Sequence, residues 1–260
     1  MDALIGYSGF VGSNLMRQRK FDQFYRSTNI EEIEEKEFDT VICAGVSAVK
    51  WKANREPEED WRSIENLVNH LKKMSCQKFI LVSTVDVYAN PHNITETDVI
   101  MEDSLAPYGK HRYRLEQFVT SKFSNTHIIR LPGLFGEGLK KNIIYDLLHH
   151  NAIDQIDSRN VFQFYDLSRL IDDIQIVVDN NLPIVNFATE PISVEEIARY
   201  AFDMTFSNPL FQNTVSYDMK SRYAPLFNNG QNKDYFLEKQ EVLKQIRRFV
   251  IRNKIGGDSD

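Results

Sequence analysis

Only two of the 260 residues are cysteines, Cys43 and Cys76, and each lies in or beside an apolar run. Two distant thiols make neither a disulfide framework nor the ligand spacing of a metal site. No metal is expected, and the default compartment is a reducing one, the cytoplasm. No apolar run approaches the roughly 20 residues that span a bilayer, and the first residues do not read as a signal peptide. Positive charge is scarce as well: 31 Lys and Arg stand against 37 Asp and Glu, a formal net charge of −6. That balance gives no bulk attraction to nucleic acid. The bases gather instead in "GKHRYR" and "QIRRFVIRNK", of which the second reads as a solvated helix face.

What the chain does have is alternation. "ALIGY", "FDQFYRS", "DTVICAG", "KFILVST" and "HIIRLPG" read as buried strands, and between them lie segments of helical period. In "EEDWRSIENLVNHLKKM" the apolar residues Trp61, Ile64, Leu67, Val68 and Leu71 fall on one helix face, and Tyr108–Lys122 reads as a second helix. Strands alternating with helices predict an α/β fold, a doubly wound parallel sheet covered on both faces. After about Gly136 the rhythm loosens. "KNIIYDLLHH" reads as a helix, "VFQFYDL" and "IVNFAT" as short strands, and "SVEEIARYAF" as a helix with Ser193 as N-cap and Glu196 three residues on. A polar loop leads to a last helix, "KQEVLKQIRRFV", and a tail expected to fray. Two domains are expected, a dinucleotide-binding domain over 1–135 and a small substrate lobe over 136–260 that interleaves with it.

The glycines Gly6, Gly9 and Gly12 in "GYSGFVG" follow the first strand directly and open a helix. Glycine permits a tight turn and a close approach of backbone to a pyrophosphate, and the helix N-terminus offers N–H groups to the phosphates. The end of the second strand discriminates between nicotinamide cofactors, because a carboxylate there binds ribose hydroxyls and an arginine accommodates a 2′-phosphate. The segment is "FYRST", with Arg26 and Ser27 in that place, which favours NADP over NAD.

Together with "FILVSTVDVY", "APYGKHRYRLE", "IIRLPGLFGEG", "QFYDLSRLIDDI" and "NFATEPISVEEIA", in that order, these stretches resemble the extended short-chain dehydrogenase/reductase family, the NAD-dependent epimerases and dehydratases of nucleotide sugars. The resemblance implies a Rossmann-type fold and a nucleotide-sugar substrate. It implies that Tyr108 is the general acid/base, that Thr84 hydrogen-bonds the reacting sugar oxygen, and that Arg112 stands beside them. It places the cofactor against Gly6, Ser8, Gly9, Phe10, Val11, Gly12, Arg26, Ser27, Ala44, Gly45, Val82, Ser83, Tyr108, Arg112, Leu131 and Pro132. It places the substrate against Thr84, Asp86, Tyr108 and Asn142. In relatives the helices near Trp61–Met74 and Tyr108–Lys122 form a four-helix interface, so a homodimer is expected. Their outer faces here carry charge (Glu65, Lys72, Arg114, Lys122), which also admits a monomer.

The chain departs from the family pattern at two places. Four residues after Tyr108, one helical turn along the same face, relatives carry a lysine that lowers the tyrosine pKa and holds the nicotinamide ribose; here the residue is Arg112. Arginine keeps the charge but does not readily release a proton. Lys110 points to another face, and His111 is expected to face solvent. Gly133 stands where many relatives place an asparagine that contacts the substrate phosphates. Three readings follow. The first is an NADP-dependent oxidoreductase that reduces or epimerises a nucleotide-linked keto-sugar. The second is an NAD(P)-binding module without catalysis. The third is a sugar-nucleotide dehydratase using Asp86, although Val85 occupies the place of the second acid that dehydration usually wants.

Overall fold

The computed structural model describes residues 1–210, 212 and 214–257. Strand β1 (Asp2–Ile5) has three of its four residues buried and runs through the glycine turn into helix α1 (Phe10–Gln18). β2 (Gln23–Tyr25) and β3 (Glu37–Cys43) lie on either side of it, both parallel to it. Helices α2 (Lys50–Arg55) and α3 (Pro57–Leu71) follow; α3 opens on a proline and then Glu58, Glu59 and Asp60, residues that suit the positive end of a helix. β4 (Ser75–Thr84), helix α4 (Pro107–Lys122), β5 (Thr126–Leu131), helix α5 (Leu170–Asp179) and β6 (Ile184–Asn186) complete the set. The six strands form one parallel sheet in the order β6-β5-β4-β3-β1-β2. The order reverses at β1, so the crevice beyond the carboxyl ends of β1 and β3 is the switch point at which open parallel sheets take ligands.

A strand covered on both faces must be apolar throughout, and Phe79, Ile80 and Leu81 of β4 are fully buried in sequence. The α3 residues Ile64, Leu67, Val68 and Leu71 pack in the same core as Phe79 and Leu81, each contributing about 1.5–3 kcal/mol by burial. α4 is different. Its buried face carries Tyr108, His111, Arg112 and Glu116 beside Leu115 and Val119, so polar chemistry enters the core along one helix.

Two compact units divide the chain. The first comprises Met1–Asn90, Thr97–Leu131 and Leu170–Asn186, and thus the whole six-stranded sheet; the "IVNFAT" strand belongs to it as β6. The second comprises Pro91–Glu96, Pro132–Arg169 and Phe187–Asp260. In the second unit "VFQFYDL" is not one strand. Val161–Phe162 pairs antiparallel with Ile192–Ser193, and Phe164–Asp166 pairs parallel with Gly133–Phe135. Gln163 lies between them, its carbonyl accepting Gly133 N–H at 3.0 Å and its buried side-chain amide accepting from Met219 N–H and donating to Met219 C=O, each at 2.7 Å. Ser193 and Glu196 form the expected capping box. The last helix, Lys239–Gly257, runs on through residues 251–257 of the tail expected to fray, and only 258–260 of that tail lie outside the described residues. Among the described residues no helix is long and apolar enough to cross a membrane.

Candidate functional site

The glycine turn is held from below by strand ends. Gly6 has φ +82°, and its N–H donates to the Tyr25 carbonyl at 2.7 Å. A Cβ on Gly6 would lie 2.3 Å from the Ala44 carbonyl oxygen, and one on Gly12 would lie 2.1 Å from that of Gly6. Only glycine fits at either place. Ala44 N–H returns to Ile5 C=O at 2.9 Å, so the ends of β1 and β3, with Ala44 and Gly45, stay flush. Ser8 and Gly9 are exposed, whereas Phe10 and Val11 are half-buried at the start of α1, where no side chain caps the helix. Such a cradle, closed beneath and uncapped above, suits a pyrophosphate. Arg26 leaves the end of β2 toward the same turn: its guanidinium lies 5.8 Å from the Tyr7 ring centroid, and its Nε donates to Thr28 Oγ1 at 3.0 Å. Ser27 beside it is exposed.

The second cluster forms where α4 meets the end of β4. Thr84 closes β4 and its hydroxyl accepts Asp86 N–H at 3.2 Å, which starts a tight turn over Val85–Val87. Tyr108 is buried in the first turn of α4, which rests on this turn: a Cβ on Gly109 would lie 1.9 Å from the Asp86 carbonyl oxygen. Tyr108 N–H donates to Asn54 Oδ1 at 2.9 Å, so α2, which sequence reading missed, caps α4 from outside. Asp86 is partly buried in an ion pair with Lys50 at 2.7 Å. Burial raises the Tyr108 pKa above its ordinary value of 10.0, and the Asp86 charge adds to this; the Arg112 and Lys50 charges and the Thr84 hydrogen bond oppose it without cancelling it. At neutral pH this phenol carries its proton.

Arg112 lies on the expected face, but its fork is engaged elsewhere. Nη1 donates to Asp60 Oδ2 at 2.6 Å and to the Tyr108 carbonyl at 3.0 Å; Nη2 donates to Asp60 Oδ1 at 2.9 Å and to the Ser47 carbonyl at 2.6 Å. The guanidinium carbon stacks 3.8 Å from the Tyr108 ring centroid. His111 does not face solvent as expected. It is 7% exposed, its Nδ1 lies 2.7 Å from Asp60 Oδ2, and its ring sits 5.4 Å from that of Trp61. One buried carboxylate on α3 thus gathers both residues, and 52 positions of chain hid the Asp60–Arg112 pairing from sequence reading.

Ser83 is bound inward. Its hydroxyl donates to Glu116, which also holds Arg130 by two hydrogen bonds, Nε–Oε1 at 3.1 Å and Nη2–Oε2 at 2.6 Å. Arg130 Nη1 donates to the Tyr88 hydroxyl at 2.6 Å, and that hydroxyl donates to Asn186 Oδ1 at 3.2 Å. Val82 is half-buried in β4, Leu131 is buried at the end of β5, and Pro132 is half-buried at the first position of the second unit. In that unit Asn142 serves as an N-cap: its Oδ1 accepts Ile144 and Tyr145 N–H, and its Nδ2 donates to Leu134 C=O at 2.8 Å. Gly133 also has a local reason, since a Cβ there would lie 2.8 Å from the Gln163 carbonyl oxygen. The first unit therefore brings together the glycine turn with Ala44 and Gly45, and Thr84 with Asp86, Tyr108 and Arg112.

A family model described as the NAD dependent epimerase/dehydratase family matches residues 19–164, a span that holds Thr84, Tyr108 and Arg112 and begins after the glycine turn. No curated protein matches the chain. Among solved structures, UDP-glucose 4-epimerase from Thermotoga maritima is similar at TM-score 0.71 and 14% identity, over 98% of this chain and 100% of that one. A dTDP-4-dehydrorhamnose reductase from Bacillus anthracis, in complex with NADP, is similar at TM-score 0.69 and 14% identity, over 96% and 98%. TunA, an NAD dependent NDP-hexosamine 5,6-dehydratase, is similar at TM-score 0.71 and 16% identity, over 96% of each chain. One fold thus serves three reactions, and the chemistry must be argued from side chains.

Proposed function

The chain belongs to the NAD dependent epimerase/dehydratase family, and from that premise we propose that it reduces a nucleotide-linked keto-sugar with NADPH. The observation that supports reduction is Arg26 at the end of β2, 5.8 Å from the Tyr7 ring beside the glycine turn, because an NADP-type turn suits a cofactor that is released and re-reduced. A protonated phenol is ready to give its proton to the oxygen of a carbonyl being reduced; it is poorly prepared to take one from an alcohol. Thr84 orients that oxygen, and the Gly6–Gly12 turn, Ala44 and Gly45 bind and align the dinucleotide. NADPH supplies the hydride when bound. Arg26 beside the glycine turn suits the 2′-phosphate, with Ser27 next to it. On this reading Arg26→Ala weakens NADPH binding by about tenfold or more and leaves NADH binding nearly unchanged.

The decisive experiment follows NADPH oxidation against a panel of keto-sugar nucleotides. Turnover that Tyr108→Phe abolishes supports the reading; consumption no greater than that of the Tyr108→Phe control defeats it. The engagement of Arg112 by Asp60 favours a second reading, a dinucleotide-binding module without catalysis. Arg112→Lys separates the two. Activity gained only in that variant identifies a degenerate enzyme, and activity in the parent that changes little identifies arginine as a working substitute.

A further inference from the structure

Arg26, Arg112 and Arg130 each lie against a tyrosine ring, but they differ in which nitrogens are already spent. Both terminal nitrogens of Arg112 and of Arg130 donate to protein oxygens. Arg26 donates from Nε alone, to Thr28 Oγ1 at 3.0 Å, and among the described residues its two terminal nitrogens have no hydrogen-bond partner. The backbone that carries Arg26 is held from both sides. Asn29 Oδ1 accepts the Arg26 N–H at 2.8 Å, Asn29 Nδ2 donates to the Phe24 carbonyl at 3.1 Å, and the Asn29 N–H donates to the Arg26 carbonyl at 3.0 Å. Between Phe24 and Arg26 the Tyr25 carbonyl accepts the Gly6 N–H, so the root of Arg26 is fixed to the glycine turn. The Tyr7 ring, itself edge-on to Phe24 at 5.7 Å, lies beside the guanidinium. With the root fixed, the side chain is what still needs holding, and Thr28 holds it.

Resting on the NADPH reading, we propose that Thr28 is a positioning residue for cofactor discrimination: it holds Arg26 by Nε so that the two terminal nitrogens face the 2′-phosphate as an end-on fork. A guanidinium can offer an anion either of two kinds of edge, one that pairs Nε with a terminal nitrogen and one formed by both terminal nitrogens. With the Nε hydrogen given to Thr28, the second is the edge that remains. An exposed arginine without such a tether samples many rotamers, and ordering it when the ligand arrives weakens binding by roughly threefold to tenfold. Thr28 orders it beforehand. NADH carries a hydroxyl where NADPH carries the phosphate, so the tether acts on NADPH alone.

The test measures Kd for NADPH and for NADH from the fluorescence of the bound reduced cofactor, without substrate and at one ionic strength. Thr28 is exposed, so its variants remove no core contact. Thr28→Val is expected to weaken NADPH binding about threefold to tenfold and to leave NADH nearly unchanged, and Thr28→Ser to restore the parent value. In an Arg26→Ala background, Thr28→Val is expected to cause no further loss, because the hydroxyl acts through the guanidinium. A loss that persists in that background means the hydroxyl meets the ligand directly, and overturns the proposal. Equal weakening of both cofactors by Thr28→Val, or no weakening, overturns it as well. Where Arg26→Ala still weakens NADPH selectively, these failures leave the NADPH reading standing. Where Arg26→Ala affects the two cofactors alike, the NADPH reading falls and the proposal falls with it.

Discussion

Two arginines of the first unit are buried, each is paired with a carboxylate through two nitrogens, and each lies against a tyrosine ring, at 3.8 Å for Arg112 and 4.9 Å for Arg130. They treat the tyrosine hydroxyl oppositely. Arg130 donates to the Tyr88 hydroxyl, which passes its own hydrogen to Asn186, so that phenol ties the turn after β4 to β5 and β6. Arg112 holds the Tyr108 ring and carbonyl, and none of its four hydrogen bonds reaches the hydroxyl. The difference marks Tyr88 as architectural and, under the proposed reductase reading, leaves Tyr108 for proton transfer. α4 supplies both arrangements four residues apart, Arg112 in one and Glu116 in the other.

The contrast breaks most visibly at Glu116. Glu116→Ala leaves Arg130 charged and buried, and is expected to cost about 3–5 kcal/mol in urea or thermal unfolding. A sharper comparison sets the tyrosines side by side. Tyr88→Phe removes the hydrogen bonds that the hydroxyl makes with Arg130 and Asn186, with an expected loss of about 1–3 kcal/mol. Tyr108→Phe costs less than about 1 kcal/mol in the same unfolding experiment and removes turnover. Equal stability losses in the two variants refute the distinction. A further effect depends on pH. Burial by itself would raise the Asp60 pKa, but hydrogen bonds from Arg112 and His111 outweigh it and hold the carboxyl below its ordinary value of 3.8. A depressed folded pKa gives stability that is present above the unfolded value and lost as pH falls through the folded one. The stability gap between the parent and Asp60→Asn is therefore expected to be about 1–2 kcal/mol at neutral pH and to shrink below pH 3.8. A gap that does not change with acid removes Asp60 as the anchor of Arg112.

The parts legible in the sequence are those fixed by local rules. The strand–helix alternation, the glycine turn and the Ser193–Glu196 cap each depend on residues within a few positions, and each appears where the pattern puts it. The face on which Arg112 lies was legible from its spacing; its partner was not, because Asp60 comes from another helix. His111 was misread for the same reason, since the carboxylate and the Trp61 ring that bury it belong to α3. Lys50 and Asn54 sit on a helix of six residues with one buried position, too short and too exposed to leave a periodic signal. The strands of the second unit, two or three residues each, fall below the length at which alternation can be read.

Gly109 has a consequence for how the pair beside it moves. With no methyl at that position, the start of α4 rests on the carbonyl of Asp86, and the helix and the turn after β4 have no clearance between them. They work as one machined part. A methyl at residue 109 would have to displace the Asp86 carbonyl, so Gly109→Ala is expected to shift the turn after Thr84 relative to Tyr108. Residues 84–87 and 107–112 thus form one contact unit, anchored from outside by Asn54 on α2 and Asp60 on α3.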